Sequence, residues 1–388
     1  MLVQKFGGTS VETLEKIKDV AKFVCDKLKV HDKSIVVVSA MGKTTNNLTA
    51  EICELSNTPP KREVDQLLSI GETKSSALLS TALCDLGVNA ISLTGWQAGI
   101  FTDKTFGGAF IEDIEESVLM RFLQDYDVLV VTGFQGVTIN GDVTTLGKGG
   151  SDTTAVALAS TFGCKCEIYT DVEGIFTVDP KVLPNAKKLE RISYAELMES
   201  SASGAKVMET RSIEIASKYN TELYVAKSLE EKRGGTIVSA EIENFEAMPI
   251  KGLVLQEDNS LLNVYLNGQN NLAKLFEIFA QASQKIQGAT KDKNIFVCLI
   301  EEKNKKNIEN LLKKYKFKYK IKKQGLKITL VGSGFQTHSL ALKNIISWLG
   351  EERVEIYNIS ISEISLMFLI DIKDKEKTVK ILSEKLGL

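Results

Sequence analysis

Apolar positions along this chain recur with two alternating periods. Leu2–Phe6 is a short apolar strand. From Val11 to Leu28 the residues Leu14, Ile17, Val20, Ala21, Val24 and Leu28 return at helical spacing. Ser34–Ser39 reads as a buried strand and Asn46–Leu55 as a helix. Leu67–Leu86 reads as one long helix, followed by a strand over Ala90–Leu93. Asp113–Asp125 is predicted helical, Val128–Thr132 a strand, Thr153–Phe162 helical and Glu167–Thr170 a strand. Apolar strands interleaved with helices predict a mostly parallel sheet covered on both faces, a three-layer αβα domain over residues 1–246.

The texture changes near Asn244–Pro249, where glycine-rich turns thin out and lysine rises. Two βαβ-like stretches follow. The first runs from strand Leu261–Leu266 through helix Leu272–Ala282 and strand Ile295–Ile300 to helix Lys305–Tyr315. The second runs from strand Lys327–Val331 through helix Leu340–Trp348 and strands Val354–Ser360 and Leu366–Ile370 to helix Lys375–Leu386. Two such units in tandem suggest a weak internal repeat. Residues 316–323, Lys-Phe-Lys-Tyr-Lys-Ile-Lys-Lys, have the composition of a nucleic-acid patch. Their period of two argues instead for a strand with one buried face and a lysine-protected solvent face.

Composition narrows the classes. The chain has 388 residues, with 48 Lys+Arg against 50 Asp+Glu, so no global basic field draws it to nucleic acid or an anionic membrane. No apolar run approaches the roughly 18 residues of a membrane span, and the N-terminus does not read as a signal peptide. Six cysteines, with Cys164 and Cys166 one residue apart, fit a reduced, cytoplasmic chain better than a disulfide scaffold. Only His31 and His338 are present, neither in metal-ligand spacing, so no protein-held metal site and no histidine triad is expected.

The candidate chemistry lies in loops after strands. Lys5-Phe6-Gly7-Gly8-Thr9-Ser10 joins a strand to a helix, where glycines let backbone N–H groups approach an anion and Lys5 adds full charge. Taken alone, it is equally a tight turn with Ser10 as cap. Thr145-Leu146-Gly147-Lys148-Gly149-Gly150-Ser151-Asp152 is a second phosphate-cradle composition, with Asp152 able to orient a cation. Neither loop has Walker A order, and no G-x-G-x-x-G dinucleotide fingerprint is present. Ser39-Ala40-Met41-Gly42-Lys43-Thr44-Thr45, Thr94-Gly95-Trp96-Gln97, Thr132-Gly133-Phe134-Gln135-Gly136 and Thr170-Asp171-Val172-Glu173-Gly174 add further loops, and Ser69-Ile70-Gly71-Glu72 lies within an otherwise helical pattern. In a parallel sheet such loops gather on one edge, where ligands bind.

In order and spacing, KFGGTSV, SAMG, LLSIGE, LTGWQAG, GFQG, TLGKGGSDTTA, TDVEGIFTVDP and GAKVME resemble the aspartate kinases of the amino-acid kinase family. The resemblance covers about the first 240 residues. Residues 250–388 resemble, more loosely, that family's tandem ACT regulatory pair of ferredoxin-like α+β units. The resemblance implies transfer of the γ-phosphoryl of ATP, with Mg²⁺, to the β-carboxylate of L-aspartate, the step that opens lysine, threonine and methionine biosynthesis. It implies that Lys5 and Asp152 are catalytic, and that Ser39, Thr45, Glu72, Lys148, Gly149, Gly150 and Ser151 bind aspartate. Lys5, Phe6, Gly7, Gly8, Thr170, Asp171, Phe176, Lys181, Lys206 and Val207 would bind ATP. It also implies that one ACT unit, about 259–323, is inserted into the other, 252–256 plus 326–388, with a homodimer formed through this region and lysine or threonine as effector.

The chain departs from the family pattern at several positions. Lys148 and Lys181 stand where arginine is usual, and Glu209-Thr210 where His-Pro is usual. Asn267-Gly268-Gln269-Asn270 and Ser339-Leu340 lack the Pro-Gly of the usual effector loops. Rival readings are a kinase of the same fold with another acceptor, such as acetylglutamate, glutamate, carbamate or uridylate, and a catalytically silent amino-acid sensor.

Overall fold

A computed structural model describes residues 1–205, 207–230, 234–240, 250–266 and 270–388. The chain folds as two units. The first takes residues 1–175, 188–201 and the described residues between 207 and 240. The second takes 176–187, 202–205 and the described residues from 250 onward.

The first unit begins with β1 (Leu2–Phe6), α1 (Leu14–Leu28), β2 (Ser34–Val38), α2 (Thr44–Leu55), α3 (Lys61–Leu68), α4 (Ile70–Asp85) and β3 (Ala90–Leu93). It continues with β4 (Ile100–Thr102), β5 (Ile111–Ile114), α5 (Glu116–Asp125), β6 (Val128–Thr132), β7 (Gln135–Val137), β8 (Val143–Thr145) and α6 (Gly150–Thr161). Then come β9 (Cys166–Thr170), β10 (Arg191–Ser193), α7 (Tyr194–Ser203), α8 (Thr210–Tyr219), β11 (Leu223–Lys227) and β12 (Thr236–Ser239). The main sheet has the order β10-β12-β11-β9-β1-β2-β6-β3, parallel except where β12 runs against β11. A small sheet, β5-β4-β7-β8, stands beside it.

Strand period explains the two cores. Val3, Ile35, Val37, Leu129 and Val131 point to one face and pack under α5, α6, α7 and α8. Phe6, Val36, Val38, Val128 and Val130 point to the other and pack under α1 and α4. This is the expected αβα sandwich. Differences are local. The expected helix over 67–86 breaks at Ser69 into α3 and α4. The helix expected from 113 starts at Glu116, because Ile111–Ile114 pairs with β4. The helix expected from Thr153 starts at Gly150, so Ser151 and Asp152 lie in its first turn.

The second unit contains β13 (Ile250–Tyr265), α9 (Asn270–Gln281), β14 (Gln287–Asp292), β15 (Ile295–Glu301), α10 (Glu302–Lys314), β16 (Lys318–Gly332), α11 (Ser339–Glu351), β17 (Ile356–Ile361), β18 (Ser365–Ile370) and α12 (Lys375–Leu386). They build one antiparallel sheet, β14-β15-β13-β16-β18-β17. Two long strands thread both halves. Gly252–Gln256 of β13 pairs with Lys327–Val331, and Leu261–Tyr265 pairs with Lys318–Lys322 beyond an irregularity between Gln256 and Asn259. Leu262, Val264, Phe296 and Cys298 pack with Leu275, Ile278 and Phe279 of α9 and Ile308 of α10 in one core. Leu253, Ile328, Leu330 and Phe368 pack with Ile345 of α11 and Leu382 of α12 in another. The basic stretch has the expected alternation: Phe317, Tyr319 and Ile321 lean on the first of these cores while Lys316, Lys318, Lys320 and Lys322 are exposed. Among the described residues no helix is long and apolar enough to cross a membrane.

A cleft at the carboxyl ends of the parallel strands

Because β1, β2 and β6 are parallel, the loops that follow them leave the sheet at the same edge. There they border a cleft of about 300 Å³, lined by Lys5, Gly8, Ser39, Ala40, Gly42, Thr45, Glu72, Phe134 and the run Gly147 to Asp152. The backbone is tied at the junction. Ser39 N–H donates to Phe6 O at 3.1 Å, Gly7 N–H to Tyr169 O at 3.1 Å, and Gly42 N–H to Gly8 O at 3.0 Å. A Cβ on Gly8 would lie 2.6 Å from Ala40 O, so only glycine lets these two loops pass so closely.

Lys5 and Asp152 meet across the floor of the cleft, Nζ to Oδ1 at 2.6 Å, both side chains nearly buried. Lys5 is the next-to-last residue of strand β1 and Asp152 lies in the first turn of α6. Gly149, the residue before α6, adopts φ +69° and offers no side-chain cap. A Cβ there would also strike Glu209 Cβ at 2.5 Å. The positive end of the α6 dipole therefore opens onto the cleft.

Glu72 is the second charged group on the wall. It is 3% exposed. Burial pushes its carboxyl up to about 7, against which the Ala40 N–H, donating to Oε1 at 3.0 Å, acts in the opposite sense. Its Oε2 is buried and has no hydrogen-bond partner among the described residues. Such an acceptor is costly to leave unmade and suits an incoming cation. Phe134, on the wall between them, holds φ +71°, its N–H donating to Thr154 Oγ1 at 3.1 Å.

The cleft thus brings together Lys5, Gly8, Ser39, Thr45, Glu72, Lys148, Gly149, Gly150, Ser151 and Asp152. Phe6 is elsewhere: its ring is fully buried, stacked on Tyr169 at 5.0 Å, so it can offer only its backbone. Thr170 and Asp171 lie at the end of β9, beside β1, with Thr170 Oγ1 donating to Asp171 Oδ1 at 3.0 Å. Val207 packs against the core under α6 and α8. Phe176 and Lys181 belong to the second unit. Lys206 lies outside the described residues, as do Asn267, Gly268 and Gln269.

Two charged residues that support the cleft were not singled out from sequence. Asp65, fully buried, and Arg211 both bond the backbone that leads to Lys148. A signal existed for Asp65: with Leu68 and Glu72 it falls at i, i+3 and i+7.

Known proteins supply the context for this geometry. The sequence pattern of the amino acid kinase family matches residues 1–227, and that of an ACT domain matches 328–386. The aspartokinase of Geobacillus stearothermophilus is 38% identical over all of this chain and 97% of its own length. Aspartokinase 2 of Bacillus subtilis is 37% identical over all of this chain and 98% of its own. In fold, the chain is similar to E. coli aspartokinase III, solved in complex with aspartate and ADP, with a TM-score of 0.83, 24% identity and full coverage of both chains. A cleft bearing a buried Lys–Asp pair at the strand ends, in a chain matched end to end by aspartokinases, leads to one assignment: this chain belongs to the aspartokinase branch of the amino acid kinase family.

Proposed function

We propose that this chain is an aspartate kinase, moving the γ-phosphoryl of ATP to the β-carboxylate of L-aspartate in the cleft bordered by Lys5, Glu72 and Asp152. The observation that carries the reading is the buried Lys5–Asp152 pair, 2.6 Å apart, beneath the open N-terminus of α6. The aspartate β-carboxyl is already ionised at neutral pH, so it attacks without a general base. One of its oxygens forms the new P–O bond, the bond from the γ-phosphorus to the bridging oxygen breaks, and ADP leaves with that electron pair. Both reactants are anions, so the protein's task is positioning and charge stabilisation.

Lys5 supplies the charge that follows the phosphoryl group. Asp152 fixes Lys5 in place and keeps it from wandering into solvent. Burying the pair is unfavourable unless the partners stay matched, so the charge is preset before substrates arrive. Glu72 Oε2 takes the aspartate ammonium, and the Lys148–Ser151 loop takes a substrate carboxylate. Lysine at 148 gives a single charged contact where a guanidinium would give a fork. Gly7 and Gly8 let the nucleotide phosphates approach the backbone, and Thr170, Asp171, Phe176, Lys181, Lys206 and Val207 are assigned to the nucleotide side.

Mg²⁺ fits this donor set. Among the described residues there is no group of three His, Cys, Asp or Glu side chains able to hold a metal, and Mg²⁺ commonly needs only one or two carboxylates plus substrate phosphates. Asp152 is the carboxylate available, and the ion would neutralise phosphate charge.

In the second unit, the sheet ends in β14, mostly exposed, and β17, exposed over its second half. Such edges suit pairing with a second copy. A homodimer through this unit, lysine or threonine as effector, and a cytoplasmic setting complete the reading. The test is an acceptor panel: ATP and Mg²⁺ with L-aspartate, acetylglutamate, glutamate, carbamate and uridylate in turn. Turnover of aspartate alone supports the reading. Preference for another acceptor, or none turned over, rejects it.

A further inference from the structure

Asp65 is a fully buried carboxylate that the reaction itself does not use. It sits on α3, and its three partners are neutral donors. Oδ2 accepts the N–H of Gly107 at 2.9 Å and of Thr145 at 2.8 Å, and Oδ1 accepts the Thr145 hydroxyl at 2.8 Å. Thr145 ends β8, three residues before Lys148. One turn earlier on α3, Arg62 Nε donates to Asp142 Oδ1 at 2.7 Å, between β7 and β8. The helix is thus bonded to that hairpin at two points.

The backbone groups of the two residues ahead of Gly147 are all held. Thr145 N–H goes to Asp65 and Thr145 O accepts from Ala109 N–H at 2.9 Å. Leu146 N–H goes to Phe134 O at 2.8 Å, and Leu146 O accepts from Arg211 at 3.1 Å. Arg211 also donates to Ala109 O at 2.8 Å and lies 4.5 Å over the Phe110 ring. A carboxylate holds one amide of this segment, a guanidinium one carbonyl, and backbone groups the other two, so the segment has no spare group through which to shift register.

α3 runs through Ser69 into α4, whose first turn carries Glu72. The junction is fixed as well, since Gln135 Nε2 donates to Ser69 O at 2.9 Å. Asp65 therefore links, through rigid elements, the two walls of the cleft that carry Glu72 and Lys148.

We infer that Asp65 is a positioning residue that sets the span between Lys148 and Glu72, and so the fit of the cleft to an amino acid bearing an ammonium at one end and a carboxylate at the other. This rests on the reading above that the two walls bind aspartate. A displacement of the loop by about 1 Å is enough to weaken use of a substrate by as much as a hundredfold.

The test is steady-state kinetics of Asp65→Ala, Asp65→Asn, Thr145→Val and Lys148→Ala, with thermal melting of each. In Asp65→Asn the amide oxygen can still accept both N–H groups while its NH₂ donates to the Thr145 hydroxyl, which can reverse its role. The expected result for Asp65→Ala is an aspartate KM raised about ten- to a hundredfold, with ATP KM within about twofold. Asp65→Asn should restore aspartate KM to within about threefold of wild type. An Asp65→Ala protein that melts lower yet keeps its aspartate KM, or that raises both KM values alike, overturns the inference. If Asp65→Ala does not fold, Thr145→Val carries the test: a raised aspartate KM supports the inference and an unchanged one overturns it. Lys148→Ala separates the two layers. Unchanged aspartate KM in Lys148→Ala rejects the underlying reading and the inference with it. A raised value there beside an unchanged value in Asp65→Ala rejects the inference alone.

Discussion

Glu72 makes a testable link between burial and substrate affinity. Its carboxyl is raised from 4.5 to about 7, mainly by burial, and Oε2 has no hydrogen-bond partner among the described residues. If only the ionised form takes the ammonium of aspartate, the apparent KM scales as one plus the ratio of protonated to ionised Glu72. With a midpoint near 7, that factor is about 11 at pH 6 and about 1.1 at pH 8, a tenfold change. At saturating aspartate the bound ammonium holds the carboxylate ionised, so kcat should change far less. The aspartate ammonium and carboxylates do not titrate in this window, and Glu72→Gln controls for ATP, whose phosphate does. The assay is initial rate against aspartate from pH 6 to 8 for wild type and Glu72→Gln. A flat aspartate KM in wild type, or the same slope in Glu72→Gln, would refute the reasoning. Stability carries the same signature. Unfolded Glu72 titrates near 4.5 and folded Glu72 near 7, so the folded state binds the extra proton between them. Stability from this group is complete below about 4.5, declines as pH rises, and is lost above about 7, by about 3 kcal/mol in total. Thermal melts of the substrate-free protein should therefore fall across that window relative to Glu72→Gln.

Other predictions follow from single contacts. Gly8→Ala should abolish activity or lower the melting temperature, because its Cβ would meet Ala40 O at 2.6 Å; wild-type kinetics and melting would contradict the close approach. Lys148→Arg should retain turnover and lower aspartate KM, since the guanidinium fork suits a planar carboxylate. An unchanged aspartate KM would argue against a charged contact at this position. Light scattering at micromolar concentration should give a dimer, and calorimetry should detect lysine at millimolar concentration. A monomer contradicts the first expectation and absent heat the second.

Much of the first unit was legible because parallel strands buried on both faces read as continuous apolar runs, as in Ile35–Val38 and Val128–Val131. The period of two in Phe317, Tyr319 and Ile321 was equally plain. Short elements were not: β4, β5, β7 and β8 are three or four residues long, too short for a period of two to show, and the two local pairs they form join only through Phe101 and Val137. The polar run Glu257-Asp258-Asn259 hid the 16-residue β13, since it looks like a turn and is instead a local irregularity in one strand. In the cleft, the two glycine-rich loops pointed to Lys5 and Asp152 because their composition is chemically unusual, whereas Glu72, inside a helical pattern, was singled out through the family resemblance. Asp65 escaped because Lys61-Arg62-Glu63 makes its helix look like a solvated surface, which outweighs the spacing it shares with Leu68 and Glu72.

The most direct test of phosphoryl transfer at the Lys5–Asp152 pair is the trapping of the acyl phosphate. Wild type, Lys5→Ala and Asp152→Ala are incubated with ATP, Mg²⁺, L-aspartate and hydroxylamine, and aspartate β-hydroxamate is measured alongside thermal melting. Wild type should accumulate hydroxamate steadily, and each variant should melt as a folded protein while forming it about a hundredfold or more slowly, the usual loss when one electrostatic contact to a transition state is removed. Hydroxamate formed by either variant at near-wild-type rate, or none formed by wild type, would contradict the assignment.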